Sequence, residues 1–268
     1  MTRVYALVNQ KGGVGKTTTA ISLAAYLAEA GQKVLLVDLD PQANATACLG
    51  IAQSQVDGGV YPVLIGGRPA VEVILHNTRL HLSLLPSTPA LAGAQVELVD
   101  LPERERVLAR ALEPVKDRYD YVLVDCPPSL GLLTVNALLA ADGVIVPVQC
   151  EYLALEGLSS LAATLQRVRS SLAPRLSLRG IVLTMFDSRT HLSQDVVREV
   201  RRHFPGQVFR AIIPRSVRLA EAPSHGLPIS AYDPRSPGGM AYQALTRELL
   251  AGDGVRARPS AVAAEVAR

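Results

Sequence analysis

Asn9-Gln10-Lys11-Gly12-Gly13-Val14-Gly15-Lys16-Thr17-Thr18-Thr19 follows a short apolar run, Val4 to Val8, and leads into a helical pattern over Thr17 to Ala30 closed by Gly31. Strand, glycine-rich turn and helix in that order make a phosphate-binding loop. Three glycines let the backbone approach an anion closely and aim N–H groups at it, and the new helix adds the positive end of its dipole. In such a loop, Gly12, Gly13, Val14 and Gly15 cradle the phosphates with Thr17 and Thr18. Lys16 reaches the β- and γ-phosphates, and the Thr17 hydroxyl ligates magnesium. The usual pattern asks for glycine five positions before Gly15, where this chain has Gln10. A second lysine, Lys11, stands at the mouth instead. Lys16 already serves the bound phosphates, so Lys11 needs a separate reason.

Two carboxylate-tipped strands belong to the same site. Lys33 to Val37 reads as a buried strand ending in Asp38-Leu39-Asp40-Pro41-Gln42, and Tyr119 to Val124 as another ending in Asp125-Cys126-Pro127-Pro128. In an open parallel sheet, ligands sit beyond the carboxyl ends of the strands, which puts these acids beside the phosphate loop. An acid at a strand tip in this setting binds magnesium, as expected of Asp125. Alternation along an extended chain points Asp38 and Asp40 the same way.

Further strands are read at Leu80–Leu85, Gly143–Val148, Leu178–Thr184 and Val208–Ile213. Helices are read at Leu101–Val115, about Glu156–Leu172, Ser193–His203 and about Gly239–Ala251. Apolar strands alternating with helices predict an α/β fold, a doubly wound and mostly parallel sheet with helices on both faces. One domain is expected over residues 1–252, followed by a disordered tail over 253–268. Residues 43–79 carry turn signals and little else.

Composition narrows the class. The 268 residues are 49% hydrophobic, ample for a packed core. The longest apolar stretch, Leu130 to Val148, is broken by Asn136, Asp142 and Pro147, so no membrane span is expected. Nor does the N-terminus read as a signal peptide, and a cytoplasmic protein is expected. Cys48, Cys126 and Cys150 are too widely spaced for a metal motif and read as small packing residues. The net charge of +3 hides a segregation: residues 1–164 hold 11 Lys and Arg against 16 Asp and Glu, whereas residues 165–250 hold 13 against 6, every basic residue an arginine. The C-terminal part is therefore a candidate polyanion surface. Arg198, Arg201 and Arg202 fall near one helix face, and Arg189, Arg215 and Arg218 fall on loops after strands.

The motifs KGGVGKTTT, VDLDPQAN, YVLVDCPPSLG, LTMFDSRT and VRLAEAPSHGLP, spread from Val4 to about Leu250, resemble those of the ParA/MinD family of deviant Walker-A P-loop ATPases. The resemblance is to the short ParA/Soj type that partitions chromosomes or plasmids. It implies ATP and Mg2+ as cofactors, and an ATP-dependent homodimer in which Lys11 reaches the nucleotide of the other subunit. It places Asp40 near the attacking water in a catalytic set with Lys11 and Lys16, and Asp38 in the magnesium shell or as support for the loop. Pro214 and its neighbours would lie against adenine; Ser216 stands where family members often have asparagine. Implied partners are nonspecific duplex DNA, met by the six arginines, and a ParB-type centromere-binding protein, so the protein is expected on the nucleoid. Iron–sulfur relatives need cysteine ligands that this chain does not offer. A MinD-like membrane anchor would want bulkier apolar residues than the Ala and Val of the C-terminal tail. An ATP-dependent biosynthetic ligase is the other rival.

Overall fold

Residues 1–256 are described by the computed structural model. Strands β1 (Arg3–Leu7), β2 (Val34–Asp38), β3 (Leu75–Asn77), β4 (Leu82–Leu85), β5 (Tyr121–Asp125), β6 (Gly143–Gln149), β7 (Ser177–Phe186) and β8 (Val208–Pro214) form one sheet. Their order is β3-β4-β2-β5-β1-β6-β7-β8, and only the edge pair β3–β4 is antiparallel. The helices are α1 (Lys16–Glu29), α2 (Asn44–Cys48), α3 (Val60–Leu64), α4 (Ala70–Val73), α5 (Leu91–Glu97), α6 (Val107–Lys116), α7 (Leu132–Ala140), α8 (Ala154–Ser171), α9 (His191–His203), α10 (Val217–Glu221), α11 (Ile229–Tyr232) and α12 (Pro237–Gly252).

The central strands are apolar along their whole length because helices cover both of their faces. On one side the core is built from α1, α2 and α12 against Leu7, Leu36 and Leu123; on the other, α3 to α9 pack against Val37, Val124 and Val146. Alanines at positions 20, 24, 25 and 28 let α1 lie close between the sheet and α12, where the hydroxyls of Thr19 and Tyr242 meet at 3.0 Å. After β1 the chain works outward to β2 and β4 on one side of it, and later strands build outward through β6, β7 and β8 on the other. The phosphate loop therefore leaves the sheet at its topological switch point.

Several boundaries move for identifiable reasons. The helix expected from Leu101 starts at Val107, because Glu103 adopts a left-handed φ of 48° and a 3-10 turn at Arg104–Arg106 intervenes. Caps set two other starts: Ser193 N–H donates to the Thr190 hydroxyl at 3.3 Å, and Gly239 N–H to the Ser236 hydroxyl at 3.1 Å, so α9 and α12 begin before Ser193 and Gly239. Helix α7 has no amphipathic period to reveal it. Inside it, buried Asn136 accepts from Leu108 N–H at 3.0 Å and donates to the Arg104 carbonyl at 2.7 Å, which fixes the entry to α6. What broke the apolar run in the sequence is a clamp between two helices.

Asp253, expected to open a disordered tail, belongs to the folded body. Its buried carboxylate accepts from Tyr5 Oη at 2.8 Å, Tyr121 Oη at 2.9 Å and Arg179 Nε at 2.9 Å, tying the end of α12 to β1, β5 and β7. The remainder of that expectation, residues 257–268, lies outside the described residues. Among the described residues no helix is long and apolar enough to cross a membrane.

Candidate nucleotide site

Register builds the site. Leu7 of β1 and Asp38 of β2 both pair with Asp125 of β5, so the three central strands end level and the phosphate loop rises directly beside the two aspartates. Gly13 and Gly15 take φ values of 72° and 86°, a region that side-chain-bearing residues rarely adopt; Gly15 is also the N-cap of α1. Val14 is buried, and its carbonyl accepts from Thr184 Oγ1 at 2.9 Å, which fastens the loop to β7. The base of the loop is held by Asn9, whose Nδ2 donates to the Pro147 carbonyl at 2.7 Å and whose Oδ1 accepts from Lys11 N–H at 3.0 Å.

The two lysines occupy different environments. Lys16 is buried and folds back so that Nζ donates to the Lys11 carbonyl at 3.1 Å. Burial lowers its pKa, against the upward pull of Asp125, Cys126 and Asp40. Lys11 stands at the rim with half of its side chain exposed, and its Nζ donates to Glu151 Oε2 at 3.3 Å. A single loop thus carries one ammonium inside its anion seat and one outside.

The three aspartates also differ. Asp38 is fully buried; one oxygen accepts from Thr46 N–H at 2.8 Å and from the Thr46 hydroxyl at 2.7 Å, the other from Asp40 N–H at 3.2 Å. These bonds commit it to anchoring α2 on the sheet edge. Burial nevertheless pushes its carboxyl up to about 6. Asp40 is nearly buried, caps the following turn by accepting from Gln42 N–H at 2.9 Å, and through its carbonyl receives the Ser87 hydroxyl at 2.7 Å. Asp125 is fully buried, and among the described residues neither carboxylate oxygen has a partner at ordinary hydrogen-bond geometry, the Thr17 hydroxyl being the nearby donor. Burial first, and then the charge of Asp38, raise its pKa well above the ordinary carboxylate value, while nearby Thr17 and Lys16 act in the opposite sense.

Unpartnered oxygens on a buried carboxylate cost about 1–3 kcal/mol or more, and a cation bound beside them would supply the missing partner. Among the described residues no group of three or more His, Cys, Asp or Glu could hold a metal by itself. Magnesium needs no such group, since it keeps water and phosphate oxygens in its shell and takes only one or two protein ligands. Asp125 and the Thr17 hydroxyl are the residues suited to that role.

Beyond α1 opens a cleft of about 290 Å³, lined among others by Gly15, Thr18, Met185, Pro214, Ser216 and Tyr242. Pro214 ends β8, and the next residue, Arg215, donates its N–H to the Phe186 carbonyl at 2.9 Å, which keeps the wall of the cleft attached to β7. The cleft adjoins the phosphate loop through Gly15 and Thr18, so its place suits a base whose phosphates lie in the loop.

A family profile described as an AAA domain matches residues 2–178. The chromosome partitioning protein ParA of Myxococcus xanthus is 54% identical over 252 residues, 94% of this chain and 89% of that protein. The chain belongs to the ParA/Soj family of chromosome-partitioning ATPases. Within that family, the sporulation initiation inhibitor protein Soj of Bacillus subtilis is 52% identical over 94% of this chain and 99% of its own length. Among solved structures, cobyrinic acid a,c-diamide synthase from Mycobacterium smegmatis, with a bound ATP analogue and magnesium, is 39% identical with a TM-score of 0.84, covering 97% of this chain and 99% of that one.

The six arginines expected to meet DNA do not form one cluster. Arg189, Arg215 and Arg218 lie at the carboxyl edge of the sheet, with the nucleotide site. Helix α9 runs away from that edge, and Arg201 at its far end donates to the Arg210 carbonyl near the start of β8. At about 1.5 Å rise per residue, Arg201 and Arg202 stand more than about 15 Å along the helix from its start, with Arg198 between. Acid partners also moderate the regional charge: Arg189 pairs with Asp187 at 2.7 Å, Arg218 with Glu221 at 3.0 Å, Arg202 with Glu199 at 3.7 Å, and Arg198 with Asp195. These pairs lie at the surface, where water and salt weaken them, so a phosphate can compete for the arginines.

Sequence reasoning did not single out Thr46, Thr184 or Glu151. Thr184 and Glu151 lie far from the loop in the chain, and no local pattern links them to it. Thr46, eight positions after Asp38, falls in the irregular stretch from which little could be read.

Proposed function

We propose that this family member is a DNA-partitioning ATPase whose ATP-bound form is a sandwich dimer on nonspecific duplex DNA, with hydrolysis, stimulated by a ParB-type centromere-binding partner, releasing it. The observation that carries the reading is the division of labour between the two lysines: Lys16 inside the anion seat, Lys11 at the rim with its side chain half exposed. One cation serves its own nucleotide, and the other, outside the seat and held by an exposed ion pair to Glu151, can turn toward a second subunit. Tyr152 and Leu153, immediately after the Glu151 that touches Lys11, are strongly exposed and supply apolar surface for such a partner copy.

In this reading the N–H groups of residues 13–17 and the Lys16 ammonium hold the phosphates, and Pro214 and Ser216 face the base. Thr17 and Asp125 hold Mg2+, which neutralises charge on the terminal phosphate oxygens. Asp38 supports the loop through Thr46, and Asp40 orients the attacking water, as its position at the end of the same loop allows. Lys11 and Lys16 stabilise the charge that develops on the transferring phosphoryl group. If each protomer brings Arg189, Arg215 and Arg218, a dimer doubles the phosphates met. The slope of log affinity against log salt would then steepen from about −3 to about −5. ATP-dependent dimerisation thereby becomes ATP-dependent DNA retention. Arg198, Arg201 and Arg202 extend the basic surface along α9.

The test is ATPase rate and mass by light scattering, with and without nonspecific duplex DNA, for the native chain and for Lys11→Ala. We expect the variant to bind ATP as a monomer and to lose both the dimer and DNA retention; a normal dimer would remove the cross-subunit role. The synthase name carried by the Mycobacterium smegmatis structure favours one rival, an amide-forming ligase. Turnover that requires a small carboxylic acid and ignores DNA would decide for it.

A further inference from the structure

Glu151 stands just beyond β6 on the carboxyl edge of the sheet, outside the core, with its side chain 44% exposed. Nothing in the packing requires a carboxylate there. Yet its oxygens are engaged from three directions: Lys11 Nζ donates to Oε2 at 3.3 Å, Gln149 Nε2 donates to Oε1, and Arg215 Nη2 lies 3.9 Å from Oε1. Lys11 comes from the phosphate loop and Arg215 from the wall of the base cleft. One acid therefore bridges the two halves of the nucleotide site and holds the lysine that a second subunit would need.

We propose that Glu151 is a positioning residue that retains Lys11 within its own subunit and so acts as a brake on dimer formation. The inference rests on the cross-subunit reading of Lys11 given above. The Lys11 backbone is already fixed, its N–H donating to Asn9 Oδ1 at 3.0 Å, so only the side chain has to swing. While its ammonium is paired with Glu151 it is not available across an interface. The terminal phosphate of a partner's ATP carries more negative charge than a carboxylate and draws the lysine away. Arg215 lines the cleft that a base would fill, so nucleotide binding engages the other cation that steadies the same carboxylate. The brake is weak by design of its surroundings: an exposed pair of this kind changes an equilibrium by up to about 5-fold, and two such pairs must open per dimer, up to about 25-fold in all.

Glu151→Gln keeps the side-chain shape and removes the charge. Two quantities are measured on the full chain: the ATP-dependent dimer dissociation constant by sedimentation, and the rate at which Lys11 is acetylated in nucleotide-free protein, read by mass spectrometry. The proposal expects a dimer tighter by between about 2- and 25-fold and faster Lys11 labelling, with thermal stability unchanged. A dimer constant that is unchanged or weaker overturns the brake. Unchanged Lys11 labelling overturns the hold itself, independently of any dimer. The underlying reading fails separately, through normal dimerisation of Lys11→Ala, so the two failures are distinguishable.

Discussion

Asp125→Asn should make the empty protein more stable and the loaded protein less stable than the native chain. Asp125 is fully buried, and among the described residues neither of its oxygens has a partner at ordinary hydrogen-bond geometry. Burial, followed by the charge of Asp38, holds its pKa well above the ordinary value. A carboxyl of that kind binds its proton more tightly in the folded than in the unfolded chain. Its contribution to stability is therefore complete at acid pH and is lost as pH rises through the folded value. Asparagine preserves the shape and does not titrate, so the advantage of the variant is small near pH 4 and grows toward pH 8. The cost of an unsatisfied buried charged group sets its size at about 1–3 kcal/mol. For a chain of this length each kcal/mol moves Tm by about 2–4 °C, so the empty variant should melt about 2–12 °C higher at pH 8. Magnesium and ATP at a hundred times their dissociation constant add about 2.7 kcal/mol to the native chain and much less to a variant lacking the metal ligand. The assay is thermal unfolding from pH 5 to 8, with chelator or with saturating Mg2+ and ATP. A variant that is less stable than the native chain when empty at pH 8, or equal stabilisation of both by Mg2+ and ATP, would refute the account of Asp125.

Asp40→Ala should reduce ATP turnover by at least about 100-fold, the usual contribution of a residue that positions a reacting water, while ATP-dependent DNA retention persists; turnover near the native rate in a steady-state phosphate-release assay removes the residue from the reaction. Replacing Arg189 and Arg218 by alanine should leave the dimer intact and lower the salt slope of DNA binding by about 2 per protomer. The same change at Arg201 and Arg202, at the far end of α9, should have the smaller effect, and the reverse order in a filter-retention titration would move the DNA face to that end. Gly226→Ala should destabilise the chain by about 1–3 kcal/mol in urea unfolding, because φ is 64° there and a Cβ would lie 2.7 Å from the Gly50 Cα. An unchanged midpoint would show that the contact between these two turns yields easily.

The sequence by itself determined the parallel strands of the sheet, the phosphate loop and the acids at the strand tips, but not the antiparallel edge strand β3. Those features are written in local chemistry: apolar runs of strand length, glycines where φ must be positive, and an aspartate at the end of each of two strands. The same locality explains what it did not determine. Helix α7 is mostly apolar with no amphipathic period to mark it as a helix, and the bonds of Asn136 to α6 reveal its place. Asp253 looks like the start of a tail until three strands bring Tyr5, Tyr121 and Arg179 to its carboxylate. Thirteen arginines in one segment read as a single basic surface, and of the six expected to meet DNA a helix about 18 Å long carries Arg201 and Arg202 away from Arg189, Arg215 and Arg218. Tertiary structure also decided the difference between Asp38 and Asp125, which are equivalent as letters at the ends of apolar strands. Thr46 binds one with both its N–H and its hydroxyl, while among the described residues the other keeps unsatisfied oxygens, although the parallel register of β2 and β5 sets the two side by side. Which buried charge is satisfied depends on partners from elsewhere in the chain, and those are fixed only when the sheet closes around them.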